Sequence, residues 1–186
     1  MPRSHNANLL LIGLRGSGKS TLGRELAIAL GRPLIDLDEQ TARSLNHPTA
    51  GDAFRTEGEP RFRLAEAAAL ARATETPAQV IALGGGTPTA PGASDFLSLC
   101  RAAGTAWVAY LHADPRPLRA RLAHTDIAAR PALLGGDPLD EIERVYAARD
   151  GLYRSLADVV IEVGPLGVAR AVDAVLRAWR APAPRA

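Results

Sequence analysis

Residues 13–20, Gly-Leu-Arg-Gly-Ser-Gly-Lys-Ser, constrain the fold of this chain more than any other segment. They match the pattern G-x-x-x-x-G-K-[ST], in which glycines let the backbone curl so that successive N–H groups point at phosphate oxygens. An apolar run over 8–13 predicts a strand before the segment, and an apolar stripe over 17–30 predicts a helix after it. That helix adds positive potential at its N-terminus. We therefore predict a loop that binds a nucleotide through Gly16, Ser17, Gly18, Lys19, Ser20 and Thr21.

Two side chains of this loop supply the groups that phosphoryl chemistry requires. Lys19, the only lysine among 22 lysines and arginines, is placed to bridge the β- and γ-phosphates of a nucleoside triphosphate. The hydroxyl of Ser20 is placed to complete the coordination shell of Mg²⁺. The motif therefore predicts ATP and Mg²⁺ as cofactors.

The rest of the chain alternates short apolar segments with helical patterns. Strands are predicted over 8–13, 33–37, 79–83, 105–111 and 158–163, and helices over 17–30, 92–103, 115–123, 138–156 and 168–180. Between residues 38 and 74 the helical pattern is broken at Pro48, Gly58 and Pro60, which predicts two or three short helices. Such alternation is typical of an α/β fold: one doubly wound, five-stranded parallel sheet in a single domain over residues 1–186.

Two segments lie outside this pattern. Residues 124–137 have weak periodicity and contain Pro131, Gly135 and Gly136, so we expect a mobile lid there. The last residues, about 181–186, are expected to form a frayed tail.

Composition narrows the class of protein. The chain is 47% hydrophobic and 23% charged, which excludes wholesale disorder, and its apolar runs are too short to span a membrane. The net charge is +2 without a block of lysines and arginines, so neither nucleic acid nor a membrane surface is expected as a partner. The single cysteine, Cys100, fits a reducing compartment. We expect a cytoplasmic monomer.

Two acidic residues, Asp36 and Asp38, stand at the end of the second predicted strand. Residues i and i+2 of a strand face the same side, so both carboxylates would point into the crevice at the carboxyl ends of the strands. The alternative is that they only cap the next helix. At the same edge, Gly84, Gly85 and Gly86 follow the third strand, where they form either a close backbone approach to a ligand or a flexible turn.

Arginines are numerous, and context separates three of them. Arg63 follows the acidic pair on a helix, Arg130 precedes a proline in the expected lid, and Arg154 precedes the last strand. The planar guanidinium suits carboxylates and phosphates, so each is a candidate site residue. The four histidines show no paired spacing that would indicate a zinc site.

Taken in order, these segments resemble the shikimate kinase family, small kinases of aromatic amino-acid biosynthesis. The resemblance spans about residues 8–179 and rests on GLRGSGKST (13–21), DLD (36–38), GEPRFRLAE (58–66), LGGG (83–86), RPALL (130–134) and LYR (152–154). It implies the fold of a P-loop kinase with a mobile lid, and the Mg²⁺-dependent transfer of the γ-phosphoryl group of ATP to the 3-hydroxyl of shikimate.

The resemblance also implies a role for each matching residue. Lys19, Asp38 and Arg130 would be catalytic: Asp38 orients the acceptor hydroxyl, and Arg130 closes over the phosphates of the nucleotide. Shikimate would be bound by Asp38, Arg63, Gly84, Gly85, Gly86 and Arg154, the two arginines holding its carboxylate. Ser20 and Asp36 would serve Mg²⁺.

Other functions remain to be weighed. A GTPase is disfavoured because no D-x-x-G follows the loop and no N-K-x-D is present. A kinase of another small hydroxy acid, such as gluconate, would share the loop and lid. A regulator that binds nucleotide or shikimate without turnover would not need Lys19, Ser20, Asp36 and Asp38 together.

Overall fold

The computed structural model describes residues 6–116, 118–119, 141–164 and 166–181. The predicted lid over 124–137, with Arg130, lies outside these residues, as does the predicted tail beyond residue 181.

The described part of the chain contains one five-stranded parallel sheet, with the strand order β2-β3-β1-β4-β5. The strands are β1 (Asn8–Ile12), β2 (Leu34–Asp36), β3 (Val80–Ala82), β4 (Ala106–His112) and β5 (Val159–Glu162). Every neighbouring pair is parallel. The predicted sheet is confirmed, and the carboxyl ends of its strands meet at one edge, where the crevice of an open α/β sheet lies.

Helices cover both faces of the sheet. They are α1 (Lys19–Leu30), α2 (Leu37–Ser44), α3 (Ala50–Glu75), α4 (Ala93–Ala102), α5 (Ile142–Leu156) and α6 (Val168–Arg180). Helix α1 packs against α6, whereas α4 packs against α3 and α5. None of the helices in the described ranges combines the length and apolar character that a bilayer crossing requires.

The core is built around the two central strands. Every residue of β1 and β4 is buried, as expected for strands with helices on both sides. Trp107 of β4 meets Trp179 of α6 edge to face, with ring centroids 5.4 Å apart. Both tryptophans are therefore core residues, as their positions in apolar segments predict.

The end of β2 differs from the prediction. The strand stops at Asp36, and α2 begins at Leu37, so Asp38 lies in a helical turn rather than on the strand. Asp36 Oδ1 accepts hydrogen bonds from the backbone N–H groups of Asp38 (3.1 Å) and Glu39 (3.4 Å). Because this cap starts the helix, the argument that Asp36 and Asp38 share one strand face is wrong.

The helical segment that follows is interrupted where the sequence predicts. Within α3, Gly58 has φ 76° and ψ 160°, a conformation that divides the helix into two parts. Pro60 stands just after this break, in a first turn, where the missing N–H of proline costs no helical hydrogen bond. Arg63 and Glu66 lie on the second part of α3, and both are buried.

Candidate active site

The phosphate loop (residues 13–20) runs from the end of β1 into the first turn of α1. Gly16 and Gly18 have φ of 80° and 93°, in the left-handed region that favours glycine. The Lys19 ammonium folds back over the loop and donates to the carbonyl oxygens of Gly13 (2.9 Å) and Leu14 (3.0 Å). These bonds hold its positive charge beside the N-terminus of α1, where an anion binds most favourably.

Ser17 and Thr21 contribute to the loop in different ways. Ser17 is 1% exposed, and its hydroxyl has no hydrogen-bond partner among the residues that the structure describes. It packs beneath Gly13, where an added Cβ would lie 2.7 Å from Ser17 Oγ and 2.7 Å from the carbonyl oxygen of Leu111. The Ser17 hydroxyl therefore faces the interior, whereas Thr21 is exposed in the first turn of α1.

Ser20 and Asp36 stand side by side next to the phosphate loop. Ser20 Oγ donates to Asp36 Oδ2 over 2.7 Å, while Oδ1 of the same carboxylate caps α2. The two alternatives for Asp36 are thus both compatible with the structure: Oδ1 caps the helix, and Oδ2 faces Ser20 at the site. A hydroxyl and a carboxylate oxygen this close are hard ligands of the kind that Mg²⁺ takes, together with water and phosphate oxygens. The donor set therefore fits Mg²⁺.

Asp38 and Glu66 meet above Gly84. A Cβ at position 84 would lie within 3.0 Å of a carboxylate oxygen of each, so only glycine leaves room for both. Burial raises the pKa of Glu66, and the Asp38 carboxylate raises it further, although Arg63 opposes both effects. Asp38 and Asp36 thus face different partners at the same edge of the sheet.

The Arg63 guanidinium is buried between two carboxylates and the glycine strip, residues 84–86. Its Nη1 donates to Glu66, and its Nε and Nη2 both donate to Glu59 Oε1 at 3.2 Å. A Cβ at Gly86 would lie within 3.0 Å of three guanidinium atoms. The structure therefore places Arg63 at this edge of the sheet, and Glu66 holds it there.

Arg149 and Arg154, both on α5, lie in different surroundings. Arg149 Nη1 donates to the carbonyl oxygen of Gly85 at 3.0 Å, and the Tyr153 hydroxyl donates to the same oxygen. Arg154 is exposed, donates to Asp150 Oδ2 at 2.8 Å, and makes no contact with the glycine strip among the described contacts. The structure thus brings Arg149 to the site and does not bring Arg154.

The face of α5 that packs against the sheet distinguishes these arginines. Arg149 stands four residues before Tyr153, so the two share a helix face, and Tyr153 is fully buried. Arg154 is five residues after Arg149, which rotates it by about 140° around the helix. Sequence reasoning also missed Glu66, whose position three residues after Arg63 places it on the same face.

The glycine strip joins the two halves of the site. A Cβ at Gly85 would lie 3.2 Å from the backbone nitrogen of Arg15, in the phosphate loop. Thr87, just after the strip, donates to Glu66 Oε1 at 2.8 Å. We call the groups on the far side of the strip the acceptor side; they are Asp38, Arg63, Glu66, Arg149 and Tyr153. The strip therefore sets carboxylates and arginines directly beside a loop shaped for phosphate.

The chain is similar in sequence and in fold to known proteins over most of its length. The family model for shikimate kinase matches residues 15–179. A shikimate kinase from Dechloromonas aromatica is 36% identical over 173 residues, which cover 93% of this chain and 90% of the relative. One from Neisseria meningitidis is 39% identical over 160 residues, covering 86% and 89%. The structure of shikimate kinase from Acinetobacter baumannii in complex with shikimate has a TM-score of 0.82 at 31% identity and 92% coverage of both chains.

Proposed function

Because the chain belongs to the shikimate kinase family, we propose that it transfers the γ-phosphoryl group of ATP to the 3-hydroxyl of shikimate. It is a phosphotransferase of the P-loop kinase fold and uses ATP with Mg²⁺. The observation that carries the proposal is the close approach of Gly85 to the backbone of Arg15, where an added Cβ would lie 3.2 Å from the backbone nitrogen; this puts the acceptor side beside the phosphate loop. An alcohol held there lies within reach of a terminal phosphate, as an in-line transfer requires.

On the phosphate side, the loop holds the nucleotide in place. Backbone N–H groups at Gly16 and Gly18 would donate to the phosphates, whereas the N–H of Ser17 donates to the carbonyl oxygen of Leu14 at 3.2 Å and shapes the loop. Lys19 would neutralise charge on the β- and γ-phosphate oxygens as it builds up. Thr21 supports the phosphates from the first turn of α1. Ser20 and Asp36 would hold Mg²⁺, which would supply positive charge that offsets the charge of the phosphates.

On the acceptor side, Asp38 accepts a hydrogen bond from the 3-hydroxyl and orients its oxygen toward the γ-phosphorus. The new O–P bond forms as the bond to the β–γ bridging oxygen breaks, and the hydroxyl proton passes toward the Asp38 carboxylate. Asp38 is the group suited to this role because it lies at Gly84, next to the strip that contacts the loop. Gly84, Gly85 and Gly86 let the ring of the substrate approach the backbone.

The carboxylate of shikimate is held by Arg63 and Arg149. Both guanidiniums contact the glycine strip, Arg63 at Gly86 and Arg149 at the Gly85 carbonyl. A pair of arginines offers forked donors that match a carboxylate. This assignment replaces Arg154, which the resemblance suggested, because Arg154 bonds to Asp150 instead.

Arg130 completes the proposal as the arginine of a lid over residues 124–137, where it would close over the phosphates and add positive charge during transfer. Closure would also exclude water and so limit hydrolysis of ATP.

We further propose that the protein works as a single domain and as a cytoplasmic monomer, without nucleic-acid or membrane partners. A net charge of +2 and interleaved acidic and basic residues support this proposal, because a polyanion-binding surface needs clustered positive charge.

The experiment that tests the function is ADP release from Mg²⁺-ATP with four acceptor classes: shikimate, quinate, gluconate and nucleoside monophosphates. We expect strong stimulation by shikimate only. Stimulation by gluconate instead would assign another hydroxy acid to the acceptor side. ATP and shikimate binding without turnover would favour a non-catalytic regulator.

A further inference from the structure

A polar cluster with a buried centre lies beneath α5, at the carboxyl ends of β4 and β5, and it meets the acceptor side only through the ring contact of Tyr110 with Tyr153. We call it the anchor cluster; its members are Tyr110 and His112 of β4, Tyr146 and Asp150 of α5, and Glu162 of β5. Tyr110 and His112 are 0% and 4% exposed. The large majority of polar side chains buried this deeply make hydrogen bonds.

Hydrogen bonds and ion pairs join the members of the cluster, and His112 Nε2 lies 3.7 Å from Asp150 Oδ1. The Tyr110 hydroxyl donates to Asp150 Oδ1 at 2.9 Å, and His112 Nε2 shares a hydrogen bond of 3.0 Å with the Tyr146 hydroxyl. His112 Nδ1 pairs with the Glu162 carboxylate. Two strands are thereby tied to two successive turns of one helix.

Asp150 is the central acceptor. Desolvation by burial raises its pKa, but hydrogen bonds from Arg154 and Tyr110 outweigh this and leave the pKa below its ordinary value. Burial and the bond to Asp150 raise the pKa of Tyr110 well above its ordinary value, so Tyr110 stays a donor. The Tyr110–Asp150 bond is therefore charge-assisted, which makes it stronger than a bond between neutral groups.

The same helix carries the substrate arginine on an adjacent face. Tyr146, Asp150 and Tyr153 follow one another at spacings of four and three residues, so they share the face toward β4. The rings of Tyr110 and Tyr153 stand edge to face, with centroids 5.5 Å apart, and the Tyr153 hydroxyl reaches the Gly85 carbonyl beside Arg149. A rotation of α5 by one residue, about 100°, would carry Arg149 away from the strip.

From this geometry we propose that the anchor cluster fixes the rotation of α5 and so delivers Arg149 to the carboxylate of the acid substrate, with Asp150 and Tyr110 as positioning residues. The inference rests on the proposed function, because it assumes that Arg149 binds that carboxylate. It accounts for buried polar groups to which phosphoryl transfer gives no other role. It also implies that substrate affinity depends on side chains that never touch the substrate.

The test compares Tyr110→Phe and Asp150→Asn with the wild type in steady-state kinetics. Tyr110→Phe removes one donor and keeps the ring, so we expect the KM for shikimate to rise about fivefold, the effect of one hydrogen bond. Asp150→Asn weakens two charge-assisted bonds and should raise it about tenfold. In both variants kcat and the KM for ATP stay within about twofold of wild type, because the phosphate loop is untouched.

A double variant and a matched control sharpen this test. Tyr110→Phe with Asp150→Asn should be no worse than Asp150→Asn alone, since the two residues share one bond. Asp158→Asn is the control: this aspartate also ties separate elements, through Arg101 and the N–H of Val108, but at the opposite end of β5. We expect its KM for shikimate to match wild type, even if its melting temperature falls.

The outcomes distinguish this inference from the proposed function. An unchanged KM for shikimate in Tyr110→Phe and Asp150→Asn, in an enzyme that Arg149→Ala impairs, would overturn the positioning role alone. A wild type that shikimate does not stimulate would overturn the proposed function. Equal rises in the KM for shikimate and for ATP, shared by Asp158→Asn, would show a general loss of structure and overturn the inference.

Discussion

The phosphate loop and the acceptor side bind their ligands with different parts of the chain. The loop occupies residues 13–20, and Lys19 bonds to carbonyl oxygens only five and six residues away. The acceptor side draws on α2, α3 and α5, and its Arg149 reaches Gly85 of the glycine strip across a sequence separation of 64 residues. One site is local and made largely of backbone, and the other is assembled from distant side chains.

The difference predicts how each site responds to change. A local backbone site keeps its shape as long as its glycines and flanking elements form, so a substitution there affects chemistry more than folding. A site built from buried, paired charges is coupled to the core, so a substitution there affects binding and stability together. Four substitutions test this contrast, and they follow in order of expected effect.

Lys19→Ala should lower kcat by about 10³-fold, because it removes the charge that stabilises the phosphate oxygens during transfer. The KM for shikimate should stay within about twofold. The measurement is steady-state kinetics with varied ATP and shikimate. Arg24→Ala, which removes an exposed positive charge one turn further along α1, is the matched control and should behave as wild type. A comparable loss in that control would mean that net charge, and not the position of Lys19, matters.

Arg63→Ala should raise the KM for shikimate by about 100-fold and lower the free energy of unfolding by about 3 kcal/mol, since it leaves the buried Glu66 without its cation. Urea denaturation measures the second effect. Adding Glu66→Gln should restore part of the stability but not the KM. Recovery of both by the double variant would assign Arg63 to structure alone.

Arg149→Ala should raise the KM for shikimate by about 30-fold, as expected when one charged hydrogen-bonding partner is lost. Arg154→Ala, on the same helix, should change the KM for shikimate by no more than about threefold. The Arg154 guanidinium in the ion pair with Asp150 is exposed, and exposed ion pairs contribute little. Kinetics on both variants gives the comparison directly. The reverse order would restore Arg154 to the site and remove Arg149.

Gly86→Ala should raise the KM for shikimate by about tenfold, because its Cβ would displace the Arg63 guanidinium. Gly151→Ala is the control, since nothing lies within 4 Å of its added Cβ. In α5 that control should raise the free energy of unfolding by up to about 1 kcal/mol through helix propensity. Isothermal titration with shikimate separates the two variants, and equal affinities would contradict the packing argument for Gly86.

Features that depend on neighbouring residues were predicted from the sequence, whereas features that depend on distant residues were not. The helix over Val168–Arg180 has the predicted bounds, and Gly58 interrupts α3 as predicted, because apolar period and glycine conformation are local properties. The sequence pattern predicts Asp38 on a strand face, because the pattern does not reveal that Asp36 caps a helix. The distinction between Arg149 and Arg154 needed the face of α5 that meets the sheet, which depends on distant residues.

The sequence by itself determined the phosphate loop, the alternation of strands and helices, and the family to which the chain belongs. Each of these depends on residues that are neighbours along the chain, where glycine, period and motif spacing act directly. Only the tertiary structure decided which arginine reaches the glycine strip, and that Glu66 holds Arg63 in a buried pair. Both contacts depend on which helix faces pack against the sheet, because burial and charge pairing are properties of the packed chain.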